Sequence, residues 1–168
     1  MVKKIIKLAQ YTLNRNMSST CLFCCIIENK LPVAKIYQDS DFLVLMDKYP
    51  INTGHTLVLP IYHYESLLCM SYSEVAKLYS LVSVIAKAVV SAVNADGFNV
   101  GQNNGKAANQ IIPHVHVHII PRFRDDSPDG KWPGRRVAKL EDLKNTANKI
   151  RSLLPPVLDI QDRKYLKA

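Results

Sequence analysis

Three of the five histidines in this 168-residue chain occupy alternate positions of one short segment, His114, His116 and His118. The residues between them, Val115 and Val117, are β-branched and apolar, and this period of two is typical of a β-strand. On a strand, the three imidazoles point to one face and the valines to the other. An imidazole can serve as a nucleophile, as a hydrogen-bond donor or as a metal ligand. We therefore expect this face to form a functional site.

A second group of reactive side chains lies nearer the start of the chain. Cys21 and Cys24 are separated by two residues, a spacing that suits either a metal site or a redox pair. A redox pair requires a thioredoxin-like order of strands and helices, which this chain does not offer, so the spacing favours a metal. Cys25 is an alternative ligand only with a shift of register, and Cys69 is interpreted as an ordinary buried residue.

The elements that position these residues can be predicted from apolar periodicity. Short segments of strand-forming residues between turn residues predict strands over residues 34–37, 42–46, 55–59, 98–102 and 113–121. Ser71 and Glu74 form a predicted capping box, and residues with helical spacing follow it as far as Gly97. A C-terminal helix is predicted over about residues 137–154. Strands joined by hairpins, with a long helix on one face, indicate an α+β domain.

The formal net charge of +8 comes mainly from the two ends of the chain. A basic surface can attract an anionic partner, but a charge run is a weak indicator of nucleic-acid binding, so we expect solvated ends and no nucleic-acid partner. No run of 18 apolar residues occurs, so we expect no membrane span and a cytoplasmic protein. We divide the chain into three parts. Residues 1–18 are an extension that is disordered, a targeting segment or a mis-assigned start. Residues 19–135 form a domain, and residues 136–168 form a basic helix and tail.

The histidine segment and the following residues 119–122 (IIPR) resemble the signature of the histidine triad (HIT) family. Residues 54–60 (GHTLVLP) are similar to a second block of that family, and residues 103–105 (NNG) ahead of Gln110 to its phosphate loop. The similarity runs from about residue 21 to residue 124 and is nearest to zinc-containing Hint-like and bacterial HIT proteins. It implies a homodimer with an antiparallel sheet of about five strands, one long helix and one C-terminal helix.

The resemblance also implies an activity. Family members cleave at the α-phosphate of a purine nucleoside phosphoramidate or a dinucleoside polyphosphate through a covalent nucleotidyl-histidine. His116 matches the nucleophile, and His118 and His55 match histidines that contact the phosphate. Asn103 and Gln110 match loop positions that line the phosphate site, together with His118.

The remaining site residues are likewise implied by position in the family pattern. Four apolar residues match those that enclose the base: Phe23, Ile26, Leu31 and Leu45. Asp47 matches the residue that accepts hydrogen bonds from the ribose hydroxyls. Four more match the ligands of a structural Zn²⁺: Cys21, Cys24, His63 and His114.

Departures from the family pattern leave alternatives open. Ile111 stands where relatives often carry a hydroxyl that assists the leaving group, so a low-activity nucleotide-binding or scaffold protein is an alternative function. The three histidines of the segment could instead hold a catalytic zinc, with His116 as a ligand. Trp132 lies in a stretch that resembles a Hint-like ending. We expect its side chain either to lie near the substrate of the partner subunit or to pack over the hydrophobic core.

Overall fold

The computed structural model describes residues 21–127 and 133–156. The interpretations of residues 1–18, of Trp132 and of the basic tail beyond residue 156 lie outside the described residues. Three helices occur in the described ranges, α1 (Leu22–Ile27), α2 (Tyr72–Val93) and α3 (Leu140–Ser152), with short 3-10 turns at Leu67–Cys69 and Lys106–Ala108.

A five-stranded antiparallel sheet forms the centre of the fold, which confirms the predicted α+β class. Its strands are β1 (Lys35–Gln38), β2 (Phe42–Met46), β3 (Thr56–Pro60), β4 (Gly97–Gly101) and β5 (Val117–Arg122). Their order in space is β1-β2-β3-β5-β4, and every pairing is antiparallel. The strand with the histidines therefore lies inside the sheet, where β3 and β4 hold its backbone from both sides.

Helix α2 begins at the predicted capping box. The Ser71 hydroxyl accepts a hydrogen bond from the Glu74 N–H, and the Glu74 carboxylate accepts one from the Ser71 N–H. The helix ends where Asn94 takes up a left-handed conformation. By length and composition α2 would also suit a membrane span. Its apolar side, which includes Leu78 and Ile85, is nevertheless buried in the core with the sheet, which is the position of a core helix.

Both faces of the sheet are covered, so β2 and β3 are buried on both sides. On one side Phe42, Val44 and Met46 join the core that α2 and α3 contribute to. On the other side Leu43 and Leu45 pack with residues of α1. Because successive strand residues point to opposite faces, one row of β5 can enter the helical core while the other enters the α1 layer.

The histidine strand is shorter than predicted, since regular pairing begins at Val117 rather than at residue 113. The Val115 N–H donates to the Tyr64 carbonyl at 2.7 Å, and the His114 N–H donates to the Ile112 carbonyl at 2.8 Å. The two valines are nevertheless fully buried in the helical core. The alternation of residue types thus predicted which face each side chain takes, but not the partner of each backbone group.

The interpretation of Cys69 as a buried residue is wrong. It closes the 3-10 turn Leu67–Cys69 at the surface and is exposed. The next residue, Met70, is buried in the helical core instead. The tight turn decides which of these two neighbours faces inward, and no periodic pattern marks such a turn.

Candidate active site

His116 has the environment of a neutral imidazole with one reactive nitrogen. Its Nδ1–H donates to the backbone carbonyl of His114 at 2.6 Å. Because a carbonyl can only accept, the proton lies on Nδ1 and the lone pair on Nε2. Burial lowers the pKa of His116, and this effect outweighs the hydrogen bond to His114 and the Asp47 carboxylate, which raise it. The ring is thus neutral at physiological pH, with Nε2 available as a nucleophile.

A series of hydrogen bonds sets the tautomers of the two other histidines expected at the phosphate. The Ile51 N–H donates to Nδ1 of His55 at 3.1 Å, so His55 carries its proton on Nε2. That Nε2–H donates to Nδ1 of His118 at 2.9 Å, which leaves the proton of His118 on its own Nε2. The rings of His118 and His116 are neighbours, with centroids 5.0 Å apart. His118 therefore offers an N–H donor beside the nucleophile, as a phosphate oxygen requires.

Both members of this histidine pair are uncharged at neutral pH. Burial is the main cause, with help from a neighbouring imidazole and Arg135, and it lowers the pKa of His55 to about 3 and that of His118 to about 4. Oδ2 of Asp47 lies 3.5 Å from Nε2 of His55 and 3.9 Å from Nδ1 of His118. Because the rings are neutral, these are contacts of a carboxylate with neutral groups rather than ion pairs.

The loop between β2 and β3 brings Asp47 and His55 together. The Asp47 N–H donates to the carbonyl of His55 at 2.9 Å, which closes the loop. Gly54 has a φ of +91°, and a Cβ there would lie 3.0 Å from side-chain atoms of Pro121 and Val93. Only glycine meets both conditions. The loop sequence thus positions His55 directly beside β5.

Arg135 is a site residue that sequence reasoning missed. Its Nη2 donates to Oδ2 of Asp47, and its Nε donates to the Tyr49 carbonyl at 2.8 Å. Arg135 is separated from Asp47 by 88 residues in the sequence. No local spacing connects the two residues. In the sequence, only the group of basic residues after position 130 indicated that this part of the chain could supply a cation.

Most of the apolar residues expected around the base lie in one cluster. Phe23 of α1 packs edge-on against the His116 ring, with centroids 5.0 Å apart. Ile26 of α1 and Leu45 of β2 are buried in the same layer. Leu31 is 40% exposed and lies outside the buried cluster of the other three. The nucleophile therefore has an apolar wall on the α1 side.

The loop expected to line the phosphate is held by its own amide side chains. Gln110 is buried, and its Oε1 accepts from the Gly105 N–H at 2.6 Å while its Nε2 donates to the Glu65 carbonyl at 2.7 Å. Nδ2 of Asn103 donates to the Asn109 carbonyl at 3.3 Å. These contacts give Gln110 a bracing function in the loop. Contact of either residue with a phosphate stays a prediction.

The four expected zinc ligands converge at one point. Ligand atoms of Cys21, Cys24, His63 and His114 all lie within 4.8 Å of one another. Nδ1 of His114 is 3.6 Å from Sγ of Cys21 and 3.7 Å from Sγ of Cys24, and Nδ1 of His63 is 3.3 Å from Sγ of Cys24. A tetrahedral zinc separates a sulfur and a nitrogen ligand by about 3.6 Å. Nε2 of His114 donates to the Pro60 carbonyl at 2.9 Å, which leaves Nδ1 free for a metal.

This geometry fits Zn²⁺ and places Cys24, rather than Cys25, in the cluster of four possible ligands. It also argues against a zinc held by the three histidines of the segment. Among the described residues, the only other group suited to a metal is Asp47, His55 and His118. His114 turns its Nδ1 to the cysteines, and His116 uses its Nδ1 for a backbone carbonyl.

Known proteins share the sequence pattern and the fold of this chain. The HIT domain matches residues 28–125, more than half of the chain. The chain is 42% identical to the adenylylsulfatase HINT3 of Arabidopsis thaliana over 66% of its own length and 56% of the plant protein, less than two thirds of that relative. It is 33% identical to the adenosine 5'-monophosphoramidase hnt1 of Schizosaccharomyces pombe, over 79% of this chain and 97% of the yeast protein.

Solved structures show the same fold. A Hit-like protein from Bartonella henselae superposes with a TM-score of 0.75 at 34% identity, covering 82% of this chain and 98% of that one. A zinc-bound histidine triad protein from Mycobacterium smegmatis superposes with a TM-score of 0.70 at 34% identity, covering 79% and 91%. The domain match, the shared sheet and the histidine segment at its centre lead to one conclusion: the chain belongs to the histidine triad (HIT) family.

Proposed function

We propose that this protein is a hydrolase or transferase that cleaves purine nucleotide conjugates at the α-phosphate through a covalent nucleotidyl-histidine on His116. The observation that carries the proposal is the 2.6 Å hydrogen bond from Nδ1 of His116 to the His114 carbonyl. It fixes the tautomer in which Nε2 of a neutral imidazole has a free lone pair. A neutral nitrogen nucleophile is what attack on phosphorus requires.

The reaction proceeds in two displacements at phosphorus. Nε2 of His116 forms a bond to the α-phosphorus as the bond to the leaving group breaks. The leaving group departs with the bonding electron pair and takes a proton from solvent, and the Nδ1 proton of His116 stays hydrogen-bonded to the His114 carbonyl. Water then adds its oxygen to phosphorus and releases a proton to solvent as the P–N bond breaks, which releases the nucleoside monophosphate and restores the neutral imidazole. During both displacements the Nε2–H of His118, held by His55, donates to a non-bridging oxygen on which charge builds.

The names of two relatives support a small leaving group on an adenylyl unit. One is named as an adenylylsulfatase and the other as an adenosine 5'-monophosphoramidase. Both names describe an adenosine monophosphate joined to one small group. A purine nucleoside phosphoramidate is therefore our first substrate class, and a dinucleoside polyphosphate is the second.

A structural zinc belongs to the same proposal. Cys21, Cys24, His63 and His114 would hold it, and four protein ligands leave no open position for a substrate or water. When bound, the metal supplies cross-linking rather than chemistry. Through Cys21 and Cys24 it would attach the start of α1 to the histidine segment, and α1 carries Phe23, the residue that contacts the His116 ring.

The low-activity binding protein is the second candidate function, and one observation favours it. Ile111 is 84% exposed beside the loop that follows β4, so a leaving group that approaches from this side meets an apolar side chain in place of a hydroxyl. Rapid turnover of a phosphoramidate would exclude this alternative.

The deciding experiment is the intact mass of the protein after rapid, non-acidic quenching with adenosine 5'-phosphoramidate. We expect an adduct of the mass of AMP on the wild type and none on His116→Ala. His118→Gln is the matched variant, because it changes a neighbouring ring but keeps the nucleophile and a neutral donor. It should still form the adduct, with slower kinetics.

The other outcomes contradict the proposal in distinct ways. Equal consumption of substrate by wild type and His116→Ala, without an adduct, would point to an activated water. Binding of AMP with neither adduct nor turnover would favour the binding protein.

A further inference from the structure

The chain segment around Arg135 is attached to the loop that follows β2. The Arg136 N–H donates to the Pro50 carbonyl at 3.3 Å, and the Ala138 N–H donates to the Lys48 carbonyl at 3.1 Å. The Nε of Arg135 donates at 2.8 Å to the carbonyl of Tyr49, the residue between those two acceptors. The backbone of both segments is thus fixed, and the guanidinium of Arg135 is directed toward Asp47.

Two donors hold the Asp47 carboxylate, one for each oxygen. The Tyr49 N–H donates to Oδ1 at 2.8 Å, and Nη2 of Arg135 donates to Oδ2. The Asp47 residue is only 5% exposed, so its charge needs compensation within the protein. The nearest imidazoles, His55 and His118, are neutral. Arg135 is the one cation that forms an ion pair with Asp47 in the described part of the chain.

We propose that Arg135 is a positioning residue for the nucleoside: it holds the Asp47 carboxylate in the orientation and charge state that bind the two ribose hydroxyls. This inference rests on the proposed function, in which Asp47 contacts the ribose. A carboxylate has about four acceptor positions, and Tyr49 and Arg135 use two of them. The other two remain for a diol, and the fixed plane of the carboxylate determines where that diol must lie.

Loss of the guanidinium would remove both effects. The carboxylate would keep only its contact with the Tyr49 N–H and would be free to rotate about that contact. It would then no longer present its free acceptors to the ribose in a fixed plane. Chemistry at His116 does not require the diol, so the defect should depend on the hydroxyls of the substrate.

The test compares adenosine 5'-phosphoramidate with its 2',3'-dideoxy analogue on three full-length variants. Arg135→Gln should lower kcat/KM for the ribose substrate by about 10- to 100-fold, the usual loss of hydrogen bonds to a charged group, mainly through KM. For the dideoxy substrate the variant should stay within about threefold of the wild type. Arg135→Lys should recover part of the loss, because it restores the charge but not the two-point contact.

Arg136→Gln is the matched control, because the Arg136 side chain is exposed and forms no hydrogen bond or ion pair within the described residues. It should leave both substrates unaffected. Equal losses on both substrates in Arg135→Gln would show that Arg135 acts on the chemistry or the fold, and no loss on either would show that it does not position the ribose. Either result overturns the inference.

Binding separates this inference from the proposed function. The affinities of AMP and 2',3'-dideoxy-AMP can be measured by calorimetry without any turnover. A wild type that prefers AMP, together with an Arg135→Gln variant that does not, would support the inference even if no substrate is cleaved. Equal affinities of the wild type for both ligands would overturn it, whatever the turnover.

Discussion

Three histidines of this site present different nitrogen atoms because each imidazole has a different hydrogen-bond partner. The His116 Nδ1 donates to a carbonyl, which frees Nε2 as a nucleophile. The His118 Nδ1 accepts from His55, which leaves its Nε2–H as a donor. The His114 Nε2 donates to the Pro60 carbonyl, which directs Nδ1 to the cysteines. The partners rather than the residue type therefore determine what each ring can do.

The buried, neutral state of His55 predicts a pH dependence of stability. In the folded protein burial lowers its pKa to about 3, and the groups that face it are His118, Asp47 and Arg135. Its ordinary pKa of about 6.5 applies in the unfolded chain. Below pH 6.5 the unfolded chain takes up a proton that the folded protein excludes. His55 alone should therefore lower the free energy of unfolding by about 1.4 kcal/mol for each pH unit between pH 6.5 and about 3, in addition to the contribution of the other buried histidines.

Urea unfolding of wild type and His55→Gln between pH 8 and pH 4.5 checks this expectation. Glutamine is neutral and can still donate to His118, so the variant should lose stability less steeply below pH 6.5 and in parallel with the wild type above it. Ser80→Ala, on an exposed part of α2, should follow the wild type throughout. Parallel curves for wild type and His55→Gln across the whole range would show that His55 is charged in the folded state.

Secondary-structure elements were predictable where local rules suffice. The apolar run of β2 between turn residues and the capping box of α2 depend on neighbouring residues alone, and both elements are present as expected. The start of β5 was not predictable, because the backbone of Val115 bonds to Tyr64, a distant residue in a loop. Side-chain alternation continued through this segment without a strand partner, so the pattern extended the strand too far.

The sequence of helix α1 provides little helical stability of its own. It has only six residues, and its N-cap, Cys21, makes no side-chain capping hydrogen bond. Isolated helices of this length are unstable in water. Cys21 and Cys24 lie on the side of α1 that meets His114, so we expect zinc to hold the helix in place.

Cys24→Ser should reduce bound zinc from one ion per chain to nearly none, as measured by elemental analysis. A metal at a thousandfold excess over its dissociation constant contributes about 4 kcal/mol. The melting temperature should therefore fall by roughly 10 °C for a domain of this size. Phe23 would lose its fixed position against His116, so activity should fall as well.

Cys25→Ser is the control for this expectation, since Cys25 is outside the cluster of four. It should keep both the zinc and the melting temperature of the wild type. A zinc-free wild-type protein of unchanged stability would contradict the structural role of the metal.

At the scale of the whole molecule, the site assembles from segments that no local pattern connects. The five histidines could be assigned to it because they match single positions or short blocks of a family pattern. Arg135 could not, because its contact with Asp47 depends on how the chain returns over the sheet after β5. The same return places α3 on the helical side of the sheet, where Leu143 and Ile150 are buried in the common core.

The two edges of the sheet differ in a way that supports the expected homodimer. At β1, Arg151 of α3 donates to the carbonyls of Lys35 and Ile36 and so covers part of that edge. At β4, the described residues provide a pairing strand on one side only. Phe98 and Val100 of this edge strand are 48% and 42% exposed. An open edge with apolar side chains is a surface that proteins normally cover.

We therefore expect two copies of the chain to associate through β4, with the outer edges of the sheets adjacent. Val100→Lys places a charge in that contact and should convert a dimer to a monomer in sedimentation or light-scattering measurements at micromolar concentration. Leu153→Lys, a substitution at an exposed apolar residue just beyond α3, should leave the dimer intact. A wild-type protein that is monomeric at these concentrations would contradict the dimer. A Val100→Lys variant that stays dimeric would show that the interface is not at β4. Because β5 lies next to β4, an interface here would also bring the two histidine segments close to the dimer axis. The monomeric variant should then lose the part of the activity that depends on residues of the partner.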